Sequence, residues 1–420
     1  MQEKVITLAT PVFFALIALE LAWGWFRGRN TYRLDDAVNS IGLGVLSQVS
    51  GVFTRVLRIG IYAWAFEFLA LWRLPADRAW VWLFALLFYD FCYYWYHRIG
   101  HERTLFWAAH VVHHQSEDYN LSTALRQTSS GALLGWLFYL PMAVAGVPPE
   151  VFAAVALVDL LYQYWIHTQH VGRLGWFDRV FASPSNHRVH HAVNDRYLDR
   201  NYGGILIVWD RLFGTFADED PAEPPVYGTR SPLRSWNPLW ANLEVYASMA
   251  HDAWHARRWR DRLGVLFGRT GWRPEDVARR FPKPAFSLAR PRYAPGAPAR
   301  VQAYALVQFA LLLGAAVHFL GYQVQAPAAA LVAYFAWIVA SLTTLGVLLE
   351  GRRLGAWLEA ARAVLTAAGV ATAHGWFGVA DPGGTLVIAA AAGWVASAAW
   401  AIWLAGPLAW RARSGAGEPG

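Results

Sequence analysis

Residues 80–101 read WVWLFALLFYDFCYYWYHRIGH, and residues 110–114 read HVVHH. The first stretch approaches the length of a bilayer span, about 20 apolar residues, and closes on two histidines four apart. On a helix His97 and His101 share one face. Downstream, His110, His113 and His114 form His-x-x-His-His, and His187, His190 and His191 form it again. Ten of the 14 histidines fall between 97 and 191. Positions i, i+3 and i+4 adjoin on a helix, so each group is expected to aim its imidazoles at one point.

The rest of the 420 residues agrees with a membrane setting. The chain is 56% hydrophobic and only 15% charged, against about 25% charged in soluble domains, and its mean hydropathy is +0.25. Candidate spans are 5–26, 41–72 (too long for one simple span), 80–97, 131–147, 149–167, 303–321, 325–349, 355–375 and 385–405. The first reads as a retained membrane helix, because it lacks a basic start and a small-residue cleavage site. Arg55 and Arg58 interrupt 41–72, which points to a kinked span or a span joined to an interfacial piece.

Arg27, Arg29, Arg33, Arg98, Arg103, Arg352, Arg353, Arg411 and Arg413 follow alternate spans, while the loops near 148, 322–324 and 376–384 carry no Lys or Arg. The positive-inside rule then puts 98–130, 168–300 and 406–420 in the cytoplasm, and the expected location is a bacterial inner membrane. Residues 239–262 mix tryptophan, leucine and arginine as an interfacial amphipathic helix does. Five prolines within 282–300 mark a linker. The expected division is a catalytic part, 1–295, and a C-terminal four-span bundle, 296–420. The net charge of +7 rests almost wholly on arginine, with only Lys4 and Lys283 as lysines, and no basic stripe for nucleic acid stands apart from the membrane flanks.

The single cysteine, Cys92, excludes disulfide frameworks and cysteine-based metal sites. Imidazole suits Zn, Cu, Fe and Ni. A zinc site closes with three or four protein ligands, so eight histidines exceed one ion. There is no His-Glu-x-x-His, since Arg103, Thr104 and Leu105 follow Glu102, and the Glu-x-x-His pairs of soluble di-iron bundles are missing. Two irons in a nitrogen-rich site fit the inventory best. The competing class is a haem-binding or proton-coupled transporter, but a proton path would string its histidines across the bilayer instead of gathering them at one edge.

The three histidine groups resemble the three-box pattern of the fatty acid hydroxylase (sterol desaturase) superfamily, integral-membrane non-haem di-iron enzymes. The run from His113 through Gln115, Glu117, Asp118 and Asn120 to Arg126 and Gln127, and the run from Asn201 through Trp209 and Asp210 to Phe216, look like its alkylglycerol monooxygenase branch. The likeness covers roughly 35–250. It implies an all-α polytopic protein with a cytoplasmic histidine-rich di-iron cap that uses O2 to oxidise a lipid C–H bond, most specifically beside an ether oxygen. It makes His97, His101, His110, His113, His114, His187, His190 and His191 iron ligands, with His167 either a ninth ligand or a hydrogen-bond partner of one. It matches Glu102 to an acidic residue needed for activity. Tetrahydrobiopterin is the implied electron donor. Relatives in the wider family act on acyl chains, sterols or carotenoids with a separate redox partner, and no built-in electron carrier is visible here.

Asp90, seven residues before His97, shares its helical face and is a candidate to orient an imidazole, against ordinary interhelical bonding; Asp159, eight before His167, is read the same way. Glu117, Asp118, Arg126 and Gln127 are candidates for holding a cofactor or headgroup, against capping and ion pairing. His170 is read as surface or supporting, His251 and His255 as an interfacial face, and His318 and His374 as helix packing.

Overall fold

The computed structural model describes residues 2–54, 56–380 and 384–406. Arg55, Arg411, Arg413 and most of 406–420 lie outside the described residues. Regular structure among them is helical apart from one short antiparallel strand pair, in which Gly375 faces Ala380 and Trp376 faces Val379, and a few isolated bridges. They group into two units, 1–233 with 241–292 and 234–240 with 293–420.

In the first unit α1 is Gln2–Phe26 and α2 is Leu34–Gly51. The stretch expected as one long span, 41–72, is broken: α2 ends at Gly51, a π-helical turn covers Val56–Gly60, and α3 is only Ile61–Leu69. Apolar composition had counted residues without seeing that the helical ladder is interrupted. The other helices are α4 (Ala79–Glu102), α5 (Thr104–Ala108), α6 (Leu121–Ala124), α7 (Ala132–Val144), α8 (Pro149–Trp165), α9 (Phe177–Val180), α10 (Pro184–His190), α11 (Val208–Phe213), α12 (Pro238–His255), α13 (Trp259–Phe267) and α14 (Glu275–Arg280). At 1.5 Å per residue, α4 is about 36 Å long, but α7 spans only about 20 Å, short of a bilayer core of about 30 Å. The apolar run 131–147 is thus a partial crossing.

Helix ends follow local chemistry. Pro149 occupies the first turn of α8. Ser183 caps α10 by accepting from the Asn186 N–H, with Pro184 at the first turn. Asn120 and Thr123 form a capping box on α6. Tyr62, Ala85, Tyr89, Cys92, Met142 and Val151 form an apolar core among α3, α4, α7 and α8. Gly44 lets α2 pack closely on Leu125, at the end of α6: a Cβ there would meet the Leu125 carbonyl at 2.2 Å.

The second unit holds the four helices that are long and apolar enough to cross a membrane, α15 (Ala299–Tyr322), α16 (Ala328–Leu349), α17 (Arg353–Ala373) and α18 (Thr385–Ala405). Composition alone concealed their centre. On α17, Arg362 donates to Glu359 at 2.6 Å, and both are buried. Gln308 accepts from Arg362 at 2.8 Å, and Tyr304 and Thr344 donate to Glu359. An ion pair at membrane depth persists only when its remaining hydrogen-bonding capacity is met in this way.

Candidate metal centre

Nine buried or half-buried imidazoles converge in the first unit, in two groups. His97, His101, His110, His114 and His190 form one; His113, His167, His187 and His191 form the other. Within each, the candidate ligand nitrogens lie within 4.8 Å of one another. The boxes do not each aim at one point, as helical spacing implied. Partners four apart stay together: His97 with His101, His110 with His114, His187 with His191. His113 and His190, three along, cross to the other group. The second box also lies on a 3-10 turn, Val111–His114, which rotates its side chains away from α-helical positions.

Backbone carbonyls set the tautomers. Nδ1 of His97 lies 2.8 Å from the Tyr202 carbonyl, that of His113 2.8 Å from Arg126, that of His167 2.7 Å from Gln163 and that of His190 3.0 Å from Arg200. A carbonyl only accepts, so each Nδ1 carries the proton and each Nε2 lone pair is free. The Nε2 atoms of His97, His101 and His190 are buried without a hydrogen-bond partner. In the other group, Nε2 of His167 is 3.2 Å from that of His113 and 3.1 Å from that of His187, and His191 is 3.2 Å from His187. Imidazole nitrogens about 2.0–2.1 Å from a tetrahedral ion would be about 3.3 Å apart. Burial and then neighbouring imidazoles hold His114, His187 and His191 well below the usual histidine range, and burial pushes His113 down to about 4. Neutral, mutually crowded lone pairs fit a cation.

The surrounding shell explains how short elements hold this geometry. Of the two roles open to Asp90, the hydrogen bonds place it on the backbone that supports His97 and not on an imidazole itself. Its carboxylate accepts from the Ile205 and Leu206 N–H groups and the Trp209 indole, at 2.7, 3.0 and 2.9 Å. Asp210 accepts from the Tyr202 and Gly203 N–H groups. Together they fasten the loop that offers the Tyr202 carbonyl to His97. Gly204 is needed there, since a Cβ would come within 2.6 Å of Asp159 Oδ1. Asp159 accepts from the Gln163 side chain at 2.6 Å, one residue's reach from His167. On α10, Arg188 grips Glu219 through two bonds of 2.8 and 2.7 Å and donates to the Thr168 and Val171 carbonyls, which brings the third box beside His167. Tyr202 and Trp107 wall His101, and Tyr119 stacks on His167.

The remaining candidates are paired within the protein. Glu102 is a third exposed and accepts from Arg98 at 2.9 Å, outside both histidine groups. Asp118 accepts from Arg33 at 2.8 Å and Arg292 at 3.2 Å, and Glu117 lies 3.5 Å from Arg290. Arg126 is fully buried and donates to the Val112 carbonyl, Asn39, Ser40 and Gln115. It positions the second box, with its own carbonyl taken by His113. Gln127 donates to the Ala124 carbonyl. His251 and His255 lie against each other and against Phe281 in tilted and edge-on contacts, His318 stacks on Tyr322, and His374 caps α17. Tyr202, Asp210, Arg188 and Glu20, which ties Leu121 to Thr168, had no assigned role; the Asn201–Phe216 run was the available signal for the first two.

An apolar helical chain whose buried imidazoles gather in two adjoining groups has the donor set of a histidine-ligated metal centre. In keeping with this, the fatty acid hydroxylase profile matches residues 82–215, and the profile of the alkylglycerol monooxygenase C-terminal domain matches 301–373. The chain is 36% identical to the alkylglycerol monooxygenase of Homo sapiens over 85% of its own length and 80% of the relative's. It is 36% identical to that of Danio rerio over 86% and 81%. An ornithine lipid hydroxylase of Rhizobium tropici is 29% identical over 33% of this chain and 42% of its own. No solved structure matches. The chain belongs to the alkylglycerol monooxygenase family, and it is a multi-pass membrane lipid monooxygenase with the donor set of a non-haem iron centre.

Proposed function

We propose that the protein oxidises an ether lipid of the alkylglycerol class with O2 at two irons, one per histidine group, using a tetrahydropterin as the external donor. The nine residues His97, His101, His110, His114 and His190, and His113, His167, His187 and His191, would hold the metal. When bound, iron supplies the oxygen activation that side chains lack. Insertion of one oxygen atom into the C–H bond beside the ether oxygen gives a hemiacetal, which separates into an aldehyde and a glycerol derivative. Two electrons and two protons from the pterin carry the second oxygen atom to water.

The protein's share is geometric. Carbonyl acceptors keep Nδ1 of His97, His113, His167 and His190 protonated, so these four present Nε2 as the ligand atom. Asp90 and Asp210 hold the Tyr202 loop still. Tyr202, Trp107 and Tyr119 exclude water from the imidazoles. Glu102, paired with Arg98 at the end of α4, serves as a positioning residue for the first box. On this reading residues 1–295 are catalytic and 296–420 an accessory bundle, with the histidine side toward the cytoplasm of a bacterial inner membrane, as the arginine flanks favour.

The reading rests on the split of nine imidazoles into two adjoining groups. Purified protein should hold about two iron atoms per chain and consume O2 with an alkylglycerol only when a reduced pterin is supplied. Turnover driven equally by a ferredoxin would remove the pterin and leave the di-iron reading intact; a single iron would remove the latter.

A further inference from the structure

The 19 residues 254–272 carry five arginines, 257, 258, 260, 262 and 269, against one acid, Asp261. All five are exposed, and none forms an ion pair among the described residues. Between them Trp254, Trp259, Leu263, Phe267 and Trp272 are also exposed, Trp254 at 81%. The opposite side is packed: Val265 joins Ala108 and Met249 in an apolar cluster. A large apolar surface interleaved with unpaired arginine suits the boundary between acyl chains and anionic headgroups. Its place in the fold agrees. The first half of α4 exposes Trp80, Leu83 and Leu87, and α4 ends at Glu102, where this face is attached.

The attachment is to the first histidine box. Thr104 N–H donates to the Gly268 carbonyl, and Thr270 N–H to the Glu102 carbonyl, both at 3.2 Å. Thr270 also donates its hydroxyl to the His101 carbonyl, and Arg103 bridges Arg269. A shift of residues 268–270 therefore bears on His101 directly. We propose that residues 254–272 dock on an anionic lipid headgroup layer and that this contact steadies the first histidine box through the His101 to Thr104 backbone.

The test needs no turnover and so stands apart from the metal and substrate reading. The full chain is placed in nanodiscs of phosphatidylcholine alone, or with about one-third phosphatidylglycerol, and amide hydrogen exchange is followed. Exchange of 254–272 and of the Thr104 and Thr270 amides should slow by roughly threefold or more in the anionic discs. Replacement of Arg257, Arg258, Arg260 and Arg262 by Gln should abolish the difference, and Arg279→Gln, on α14, should leave it intact. Equal exchange of wild-type protein in both discs would overturn the proposal. Because that comparison uses only wild-type protein, a variant that fails to fold does not spoil the test. Slowing confined to 254–272, with Thr104 and Thr270 unmoved, would overturn the coupling to the box.

Discussion

His114 and His191 stack with ring centroids 4.2 Å apart and planes 25° from parallel, although each belongs to a different group of imidazoles. This contact is where the two groups adjoin. Nε2 of His114 lies 3.1 Å from that of His110, and Nε2 of His191 lies 3.2 Å from that of His187, so the stacked rings turn their ligand atoms to different groups. His114→Ala should reduce iron mainly in the five-histidine group and His191→Ala mainly in the four-histidine group. Each variant is expected to keep about one iron per chain by elemental analysis, with turnover lowered by at least about 100-fold.

Asp90→Asn exchanges one of two acceptor oxygens for a donor facing the Ile205, Leu206 and Trp209 N–H groups. The Tyr202 loop should loosen and the His97 tautomer lose its anchor. Iron affinity is expected to fall about 10–100-fold, measured by competition with a chelator, while helix content by circular dichroism stays at the wild-type level.

Arg126 illustrates how a buried cation can serve structure. Burial lowers its pKa to about 10, so it remains charged at neutral pH. Arg126→Met would strand Asn39, Ser40, Gln115 and the Val112 carbonyl, an expected loss of about 2–4 kcal/mol. A lowered thermal midpoint of the metal-free protein in detergent checks this. Arg126→Lys should recover only part of it, because one ammonium cannot reach all four acceptors.

Asp118 supplies a pH dependence. Burial, followed by the nearby Asp36, pushes it up to about 6 despite its contacts with Arg33 and Arg292. The folded protein therefore holds this proton to higher pH than the unfolded chain, whose aspartates titrate near 3.9. The resulting stabilisation is complete below about pH 4 and is lost as pH rises through about 6. Asp36→Asn removes the neighbouring charge, so the difference in melting temperature between wild type and variant should change across that window and be flat on either side.

In the second unit, Arg362→Met leaves Glu359 as an unpaired buried carboxylate. Destabilisation of about 3–5 kcal/mol is expected, and much less for the double replacement with Glu359→Leu. Denaturant unfolding in detergent, followed by the fluorescence of the Trp337 and Trp394 surroundings, distinguishes the two outcomes.

Sequence by itself determined the membrane class, the four C-terminal helices, the histidine inventory and the family, because each is carried by composition, local periodicity or a contiguous motif. It also marked Asp90 by helical offset and His167 by the family resemblance. Tertiary structure alone decided that the boxes interleave, since whether His113 faces His114 or His167 depends on a 3-10 turn and on which carbonyl holds Nδ1. The same holds for Asp90, which acts on His97 through residues more than 100 positions away, and for Arg126, whose acceptors come from α2 and the second box. Spacing along a helix records which side chains can share a face. Which face meets which is set by packing, here by Gly44 against Leu125, Arg188 on Glu219 and the loop fastened by Asp90 and Asp210.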